Sequence, residues 1–202
     1  MSSADAVPDG SNVEKASALD IYDAEGKIIN FGSLFADKKV VVVFIRTYFC
    51  GDSQQYVEQL ANIPKEKLDN ANVDLVVIGC GDWKPINGYA KDRGFQGSKM
   101  YADPDRKLYH ELGMDIETLA KTPTGQKKRS YLKRGDAWDA VRSTFKGPVM
   151  NPSWMGKQGN LSQLGGDFVF GPGNQCIFAH RMQHTEDHVE VVDLMKQVGI
   201  EI

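Results

Sequence analysis

Cysteine is scarce in this sequence: Cys50, Cys80 and Cys176 are the whole complement of a 202-residue chain. An odd, sparse set excludes a disulfide framework. Long apolar runs are also missing, and the longest is far too short to span a bilayer, so no membrane association is expected. The start, Met1 to Gly10, is polar and acidic, with neither a basic cluster nor a hydrophobic stretch. No secretory signal is visible there, and residues 1–14 read as a flexible tail. The expected location is cytoplasmic, a reducing compartment where any disulfide is transient or catalytic. Basic residues are not in excess: 24 Lys and Arg against 27 Asp and Glu leave a net charge of −3, which argues against a general affinity for nucleic acid. No phosphate loop, no Ser-His-Asp order and no zinc-ligand spacing occurs, so no metal is expected.

What is present is enough for one domain with a full core, assigned to residues 15–202. Residues 18–22 and 27–31 flank Asp23-Ala24-Glu25-Gly26 and predict a β-hairpin. The run Val40 to Arg46 is apolar and β-branched, as in a strand buried on both faces. After it, Tyr56, Val57, Leu60 and Ala61 share one face of a helix from Ser53 to Ala61, and Pro64 ends or restarts that helix. Val73 to Gly79 is a second buried strand, so strand, helix and strand form a right-handed parallel unit. Short helices follow over 85–93 and 104–112. Gly171-Pro172-Gly173-Asn174 joins two further strands as a hairpin. A last helix is expected to begin near Thr185, with Thr185 as its cap and Glu186 and Asp187 in its first turn.

Cys50 stands between the first buried strand and a helix start. Unpaired backbone N–H groups and the positive end of the helix dipole favour its thiolate, the reactive form. Asp52 works against this, because a nearby carboxylate disfavours negative charge on sulfur. The local sequence Cys50-Gly51-Asp52-Ser53 is a C-x-x-C pattern with serine second. Ser53 lies about one helical turn on, close enough for its hydroxyl to bond the sulfur. Cys80 ends the second strand. Parallel strands put their C-terminal ends on one edge of the sheet, where sites in open α/β sheets lie, so Cys80 is a candidate partner of Cys50. A strand-end thiol without a partner is the plainer alternative, since a disulfide needs Cα atoms within about 7 Å. Cys176 is given no chemistry.

Other residues read more simply. His180, His184 and His188 cluster in the sequence and are expected as one core histidine and two exposed ones, and His110 as structural. Trp83, Trp138 and Trp154 either line an apolar pocket over Cys50 or pack in the core. Five of the eight residues from Lys127 to Arg134 are basic. They read as a solvated face, or as a site for an anionic substrate or partner.

Residues 18–199 resemble the peroxiredoxin-like 2 group of the AhpC/TSA family. The likeness is carried by Val41-Val42-Val43-Phe44-Ile45-Arg46 before Cys50, by Tyr56-Val57-Glu58-Gln59-Leu60, and by Tyr101-Ala102-Asp103-Pro104-Asp105. Gly165-Gly166, Phe170-Gly171-Pro172-Gly173-Asn174, His180-Arg181 and Asp187-His188 add to it. The resemblance implies a thioredoxin-like α/β fold: a central mixed sheet flanked by helices, an N-terminal β-hairpin, and an insertion before the last hairpin. It implies a redox nucleophile at Cys50 that reduces a small peroxide or disulfide, with Thr47 orienting the thiolate and no tightly bound cofactor. An external thiol, glutathione or thioredoxin, or else Cys80, would complete the cycle, and a homodimer is open. Relative to the family pattern, the proline upstream of the cysteine is absent, and Gly165-Gly166 stands where an arginine is usual. Arg46 and Arg181 are the candidate replacements. Three alternatives remain. One branch of the group is described as prostaglandin F synthases, which implies endoperoxide reduction. Cys50-Gly51-Asp52-Ser53 is similar to the monothiol glutaredoxin motif, which implies glutathione and iron–sulfur binding. The third is a redox-inactive thioredoxin fold used for interaction.

Overall fold

The β-branched run beginning at Val40 lies in the middle of the molecule. The computed structural model describes residues 4–95, 99–133 and 152–202. Its strands are β1 (Asp20–Tyr22), β2 (Ile28–Asn30), β3 (Lys39–Ile45), β4 (Val73–Gly79), β5 (Lys99–Ala102), β6 (Gly166–Gly171) and β7 (Gln175–Arg181). They form one sheet in the order β2-β1-β5-β4-β3-β6-β7. The β3–β4 and β4–β5 pairs are parallel and the remainder antiparallel, so the sheet is mixed, as expected.

Alternation along β3 divides the core in two. Val41, Val43 and Ile45 face one apolar cluster, with Tyr56, Val57 and Leu60 of helix α2 (Gly51–Ala61). Val40, Val42 and Phe44 face the other, with Phe31, Phe35, Phe168 and Phe170. With both faces covered, an entirely apolar strand is the stable choice, each buried side chain contributing roughly 1.5–3 kcal/mol. Helix α3 (Lys65–Asn70) starts after Pro64, so the proline restarts the helical path. Helix α4 (Ile86–Arg93) forms as expected, whereas α5 (Lys107–Glu111) is shorter than the expected 104–112 and begins after Arg106 rather than at Pro104.

Two terminal expectations change. The stretch before β1 carries helix α1 (Gly10–Ser17), capped by the Asp9 carboxylate accepting from Asn12 N at 2.9 Å, with Val13 and Ala16 buried. Upstream of it, Ala4 O accepts from Arg181 N at 2.8 Å, which docks the arm against the end of β7. The last helix, α6 (Val191–Lys196), begins after Glu190 rather than near Thr185. The carboxylates meant for its first turn bind the insertion instead. Glu186 accepts from Thr122 and Lys128, and Asp187 from Arg129 at 2.9 Å. The pairing at Lys128 and Arg129 leaves no open anion site there, while Lys127, Lys128 and Lys133 are exposed, as expected of a solvated face. Arg134 and Trp138 lie outside the described residues. Among the described residues no helix is long and apolar enough to cross a membrane.

Candidate active site

β3 ends at Ile45, and a few residues later the chain turns into α2 with Cys50 at the N-cap position (φ −77°, ψ 121°). Cys50 N donates to Thr47 O at 3.3 Å, and Gln54 N donates to Cys50 O at 2.9 Å. The Cys50 side chain makes no cap hydrogen bond, and its N-cap position sets the sulfur at the positive end of α2. The strand ends are braced from below. Tyr109 Oη lies 2.6 Å from Ile45 O and 3.0 Å from Ile78 O and shares its proton between them.

Arg46 is the decisive neighbour. Its Nη1 donates to Cys50 Sγ at 3.0 Å and its Nη2 to Leu161 O at 2.8 Å. The residue is 6% exposed, and among the described residues no carboxylate pairs with it. A buried guanidinium without a carboxylate is costly, and the one described group in contact with it that can carry negative charge is the Cys50 sulfur. Of the two arginine replacements considered, Arg46 is at the site and Arg181 is not. Arg181 donates to the carbonyls of Leu112 and Ala6 and lies over the Phe168 ring. The Gly165-Gly166 pair cannot take the usual arginine, because a Cβ at Gly165 would come within 1.8 Å of Phe44 O.

The other predicted residues are placed less directly. Thr47 and Ser53 are both 1% exposed, and among the described residues neither hydroxyl has a hydrogen-bond partner, so the expected bond from Ser53 to the cysteine is not made. Cys80 shares the neighbourhood through Arg46: its Sγ donates to Arg46 O at 2.8 Å. All three cysteines are free. Burial pushes the Cys80 thiol up to about 11, although a hydrogen bond to Asn160 O and the charge of Arg106 pull the other way. Cys176, half-buried on β7, is pushed by burial to about 12. Both are held as protonated thiols at neutral pH.

Phe49 and Trp154 stack over one another with centroids 6.0 Å apart, beside the cysteine in sequence. Trp83 instead packs at the edge of the core, against Gly26. The clustered histidines differ from expectation, for none of the three is exposed. His180 lies between Asp5 (Nδ1–Oδ1 2.6 Å) and Asp187, His184 Nδ1 accepts from Glu186 N at 3.3 Å, and His188 is 2.9 Å from buried Asp167 and stacked on Tyr56. Carboxylates and backbone engage them. His110 pairs with Asp115 on an exposed face of α5.

Sequence reasoning did not find Leu161, Tyr109 or Asn160. Leu161 and Asn160 act here through main-chain oxygens, which no side-chain pattern encodes. Tyr109 is indistinguishable in sequence from a core aromatic.

Comparison with known proteins places the chain in a family and a fold. The model of the AhpC/TSA antioxidant enzyme family matches residues 59–184, a span that begins after Cys50. Human peroxiredoxin-like 2C is 35% identical over 184 residues, covering 91% of this chain and 78% of that protein. A prostamide/prostaglandin F synthase of Salmo salar is 25% identical over 197 residues, covering 96% and 87%. Among solved structures, a mutant of peroxiredoxin 6 of Arenicola marina superposes with a TM-score of 0.59 at 12% identity, over 90% of this chain and 68% of that one. Peroxidoxin BcpB of Mycobacterium tuberculosis gives 0.58 at 10% identity, over 89% and 90%. At such identities the structures establish a shared peroxiredoxin and thioredoxin fold.

Proposed function

The chain belongs to the AhpC/TSA antioxidant enzyme family, within its peroxiredoxin-like 2 group, and from that premise we propose that it is a thiol-dependent peroxidase whose nucleophile is Cys50. The observation that carries the reading is the Arg46 guanidinium, 3.0 Å from the Cys50 sulfur, buried and without a carboxylate of its own among the described residues. A fixed cation beside the sulfur stabilises negative charge on it before the reaction. It then meets the charge that develops on the peroxide as the O–O bond breaks.

The thiolate attacks one peroxide oxygen. The S–O bond forms, the O–O bond breaks, and the departing alkoxide or hydroxide takes up a proton from solvent, leaving a sulfenic acid on Cys50. A thiol reductant, glutathione or thioredoxin, attacks that sulfur and water leaves. A second thiol then displaces Cys50 from the mixed disulfide and restores it. Thr47 and Ser53 flank Cys50 in the chain with buried hydroxyls that have no partner among the described residues, and we assign them the binding of peroxide oxygen. The protonated state of Cys80 and Cys176 supports Cys50 as the first thiol to react.

The test is intact-mass analysis after one equivalent of hydrogen peroxide, with a sulfenic-acid trap present. The adduct should map to Cys50 and disappear in Cys50→Ser. In Arg46→Met the rate of oxidation should fall by roughly 10²–10³, the usual effect of removing a preorganised charge or donor. First modification at Cys80 or Cys176 overturns the assignment.

A further inference from the structure

Arg46 touches more than the cysteine. One arm of its guanidinium reaches Cys50 Sγ, the other reaches Leu161 O, and its own carbonyl accepts the Cys80 thiol. One residue thus ties the nucleophile, the second thiol and the stretch of the insertion at 157–161. This strap lies directly on Cys80. At Gly159 (φ +86°) a Cβ would come within 2.5 Å of Cys80 O and 2.7 Å of Cys80 Sγ, so only glycine lets the backbone pass so close. Cys80 is 1% exposed. Among the described residues the strap also packs on the backbone of buried Gly81, where a Cβ would come within 2.4 Å of Lys157 O. Asp82 N donates to Lys157 O at 2.9 Å, Asn160 Nδ2 reaches the exposed Glu117 at 2.8 Å, and the Cys80 Sγ–Asn160 O contact is 3.8 Å. Among the described residues the Leu161 carbonyl, held by Arg46, is the strap's hydrogen bond to a buried charged side chain.

That fixing depends on charge. While the Cys50 sulfur is an anion, the guanidinium is neutralised where it stands and its second arm can hold Leu161. When the sulfur becomes a neutral disulfide, Arg46 is left as a buried cation with no anion, a costly state that is relieved by turning toward solvent. Leu161 O then loses its donor.

We propose that Arg46 is a charge-keyed fastener, which keeps the 157–161 strap closed over Cys80 while Cys50 is a thiolate and releases it once that sulfur is neutral. The inference rests on the reading of Cys50 as the nucleophile and adds an order to it. The closed site admits a small peroxide, and the opened one admits the larger thiol that finishes the cycle.

The experiment uses the full chain with Cys176→Ser, so that Cys80 is the thiol followed by timed N-ethylmaleimide labelling and mass spectrometry. Cys50→Asp keeps a fixed negative charge beside Arg46, and Cys50→Ser removes it. Cys80 should be labelled roughly tenfold faster in Cys50→Ser than in Cys50→Asp, as expected when a local cover opens more often. Adding Arg46→Met to Cys50→Asp should bring back fast labelling. Equal rates in the Asp and Ser variants overturn the proposal. A second measurement uses the parent chain. Its Cys50 thiolate is converted with oxidised glutathione to the mixed disulfide, releasing one glutathione thiolate. Hydrogen exchange at the Asp82 amide, whose acceptor is Lys157 O, should then quicken, and unchanged protection would count against the strap. Neither labelling in the Cys50 variants nor its interpretation requires peroxide turnover. Failure of the peroxidase reading is seen in the sulfenic-acid trap, and failure of the fastener in Cys80 labelling.

Discussion

Ser53 occupies the place where a second cysteine would complete a redox pair, and its surroundings are unusual for a serine. It is 1% exposed, in the first turn of α2, and its hydroxyl has no partner among the described residues. Replacement by cysteine exchanges an unsatisfied hydroxyl for a group that tolerates burial, so stability should change little. In Ser53→Cys, mild oxidation should close a disulfide between Cys50 and the introduced thiol, read as the loss of two hydrogens in the intact mass and reversed by dithiothreitol. If both thiols still alkylate after oxidation, the first turn of α2 does not bring the two sulfurs together. The same residue marks a limit of sequence reading. The spacing correctly put Ser53 one turn from Cys50, but its rotamer, and hence the absent hydrogen bond, is a matter of packing.

At the scale of elements, the loop between β7 and α6 works as a clasp. His180 is held by Asp5 and Asp187, and Asp187 is in turn held by Arg129 of the insertion. Burial works against charge on His180, but the Asp187 and Asp5 carboxylates outweigh it and raise its pKa from 6.5 to about 9. Burial likewise opposes charge on Asp187, while His180 and Arg129 bring it well below the usual carboxylate range. For the histidine, a raised folded value means a contribution complete below pH 6.5 and lost as pH rises through about 9. For the aspartate, a lowered value means a contribution present above the ordinary carboxylate range and lost in strong acid. The alkaline loss is on the order of 3 kcal/mol at most, less what solvent screens at the exposed Asp5. Urea midpoints should therefore fall as pH rises from 6.5 to about 9 in the parent and stay nearly level in His180→Gln. A level parent profile would remove the histidine from the clasp.

Thr185-Glu186-Asp187 shows why this element was misread in sequence. A capping residue followed by two carboxylates has the composition of a helix start, and nothing local says that Thr122, Lys128 and Arg129 claim the carboxylates. Non-local pairing overrode a local signal. By contrast β3, α2 and β4 were legible because their patterns record burial on a face, which survives any detail of contact. The position of Cys50 between β3 and α2 was legible in the same way, whereas the sequence left Arg46 and Arg181 as alternatives that only the contacts separate. The Leu161 contact could not be read, because the insertion that supplies it has weak periodicity.

Across the whole molecule, the arm before β1 is a structural part of the domain. Ala4 and Ala6 supply main-chain acceptors to Arg181, and Asp5 supplies a carboxylate to His180. Removing residues 1–6 leaves Arg181, 6% exposed, with its guanidinium short of acceptors. The truncated chain should lose about 1–3 kcal/mol, the cost of leaving a buried donor unsatisfied, measured by urea unfolding. An unchanged midpoint would return the arm to the status of a tail.

The connectivity of the sheet has a consequence for synthesis. β3 pairs on one side with β4, the next strand in the chain, and on the other with β6, which arrives much later. Close-in-sequence pairings carry the smaller loop-closure penalty and can form first on the ribosome. A nascent chain long enough to present β3, α2 and β4 already displays Cys50 with Arg46 near it. The contact from Arg46 to Leu161, 115 residues further on, is still unmade. A chain halted at that stage should have Cys50 and Cys80 without their cover from 157–161, open to oxidants until the C-terminal strands arrive.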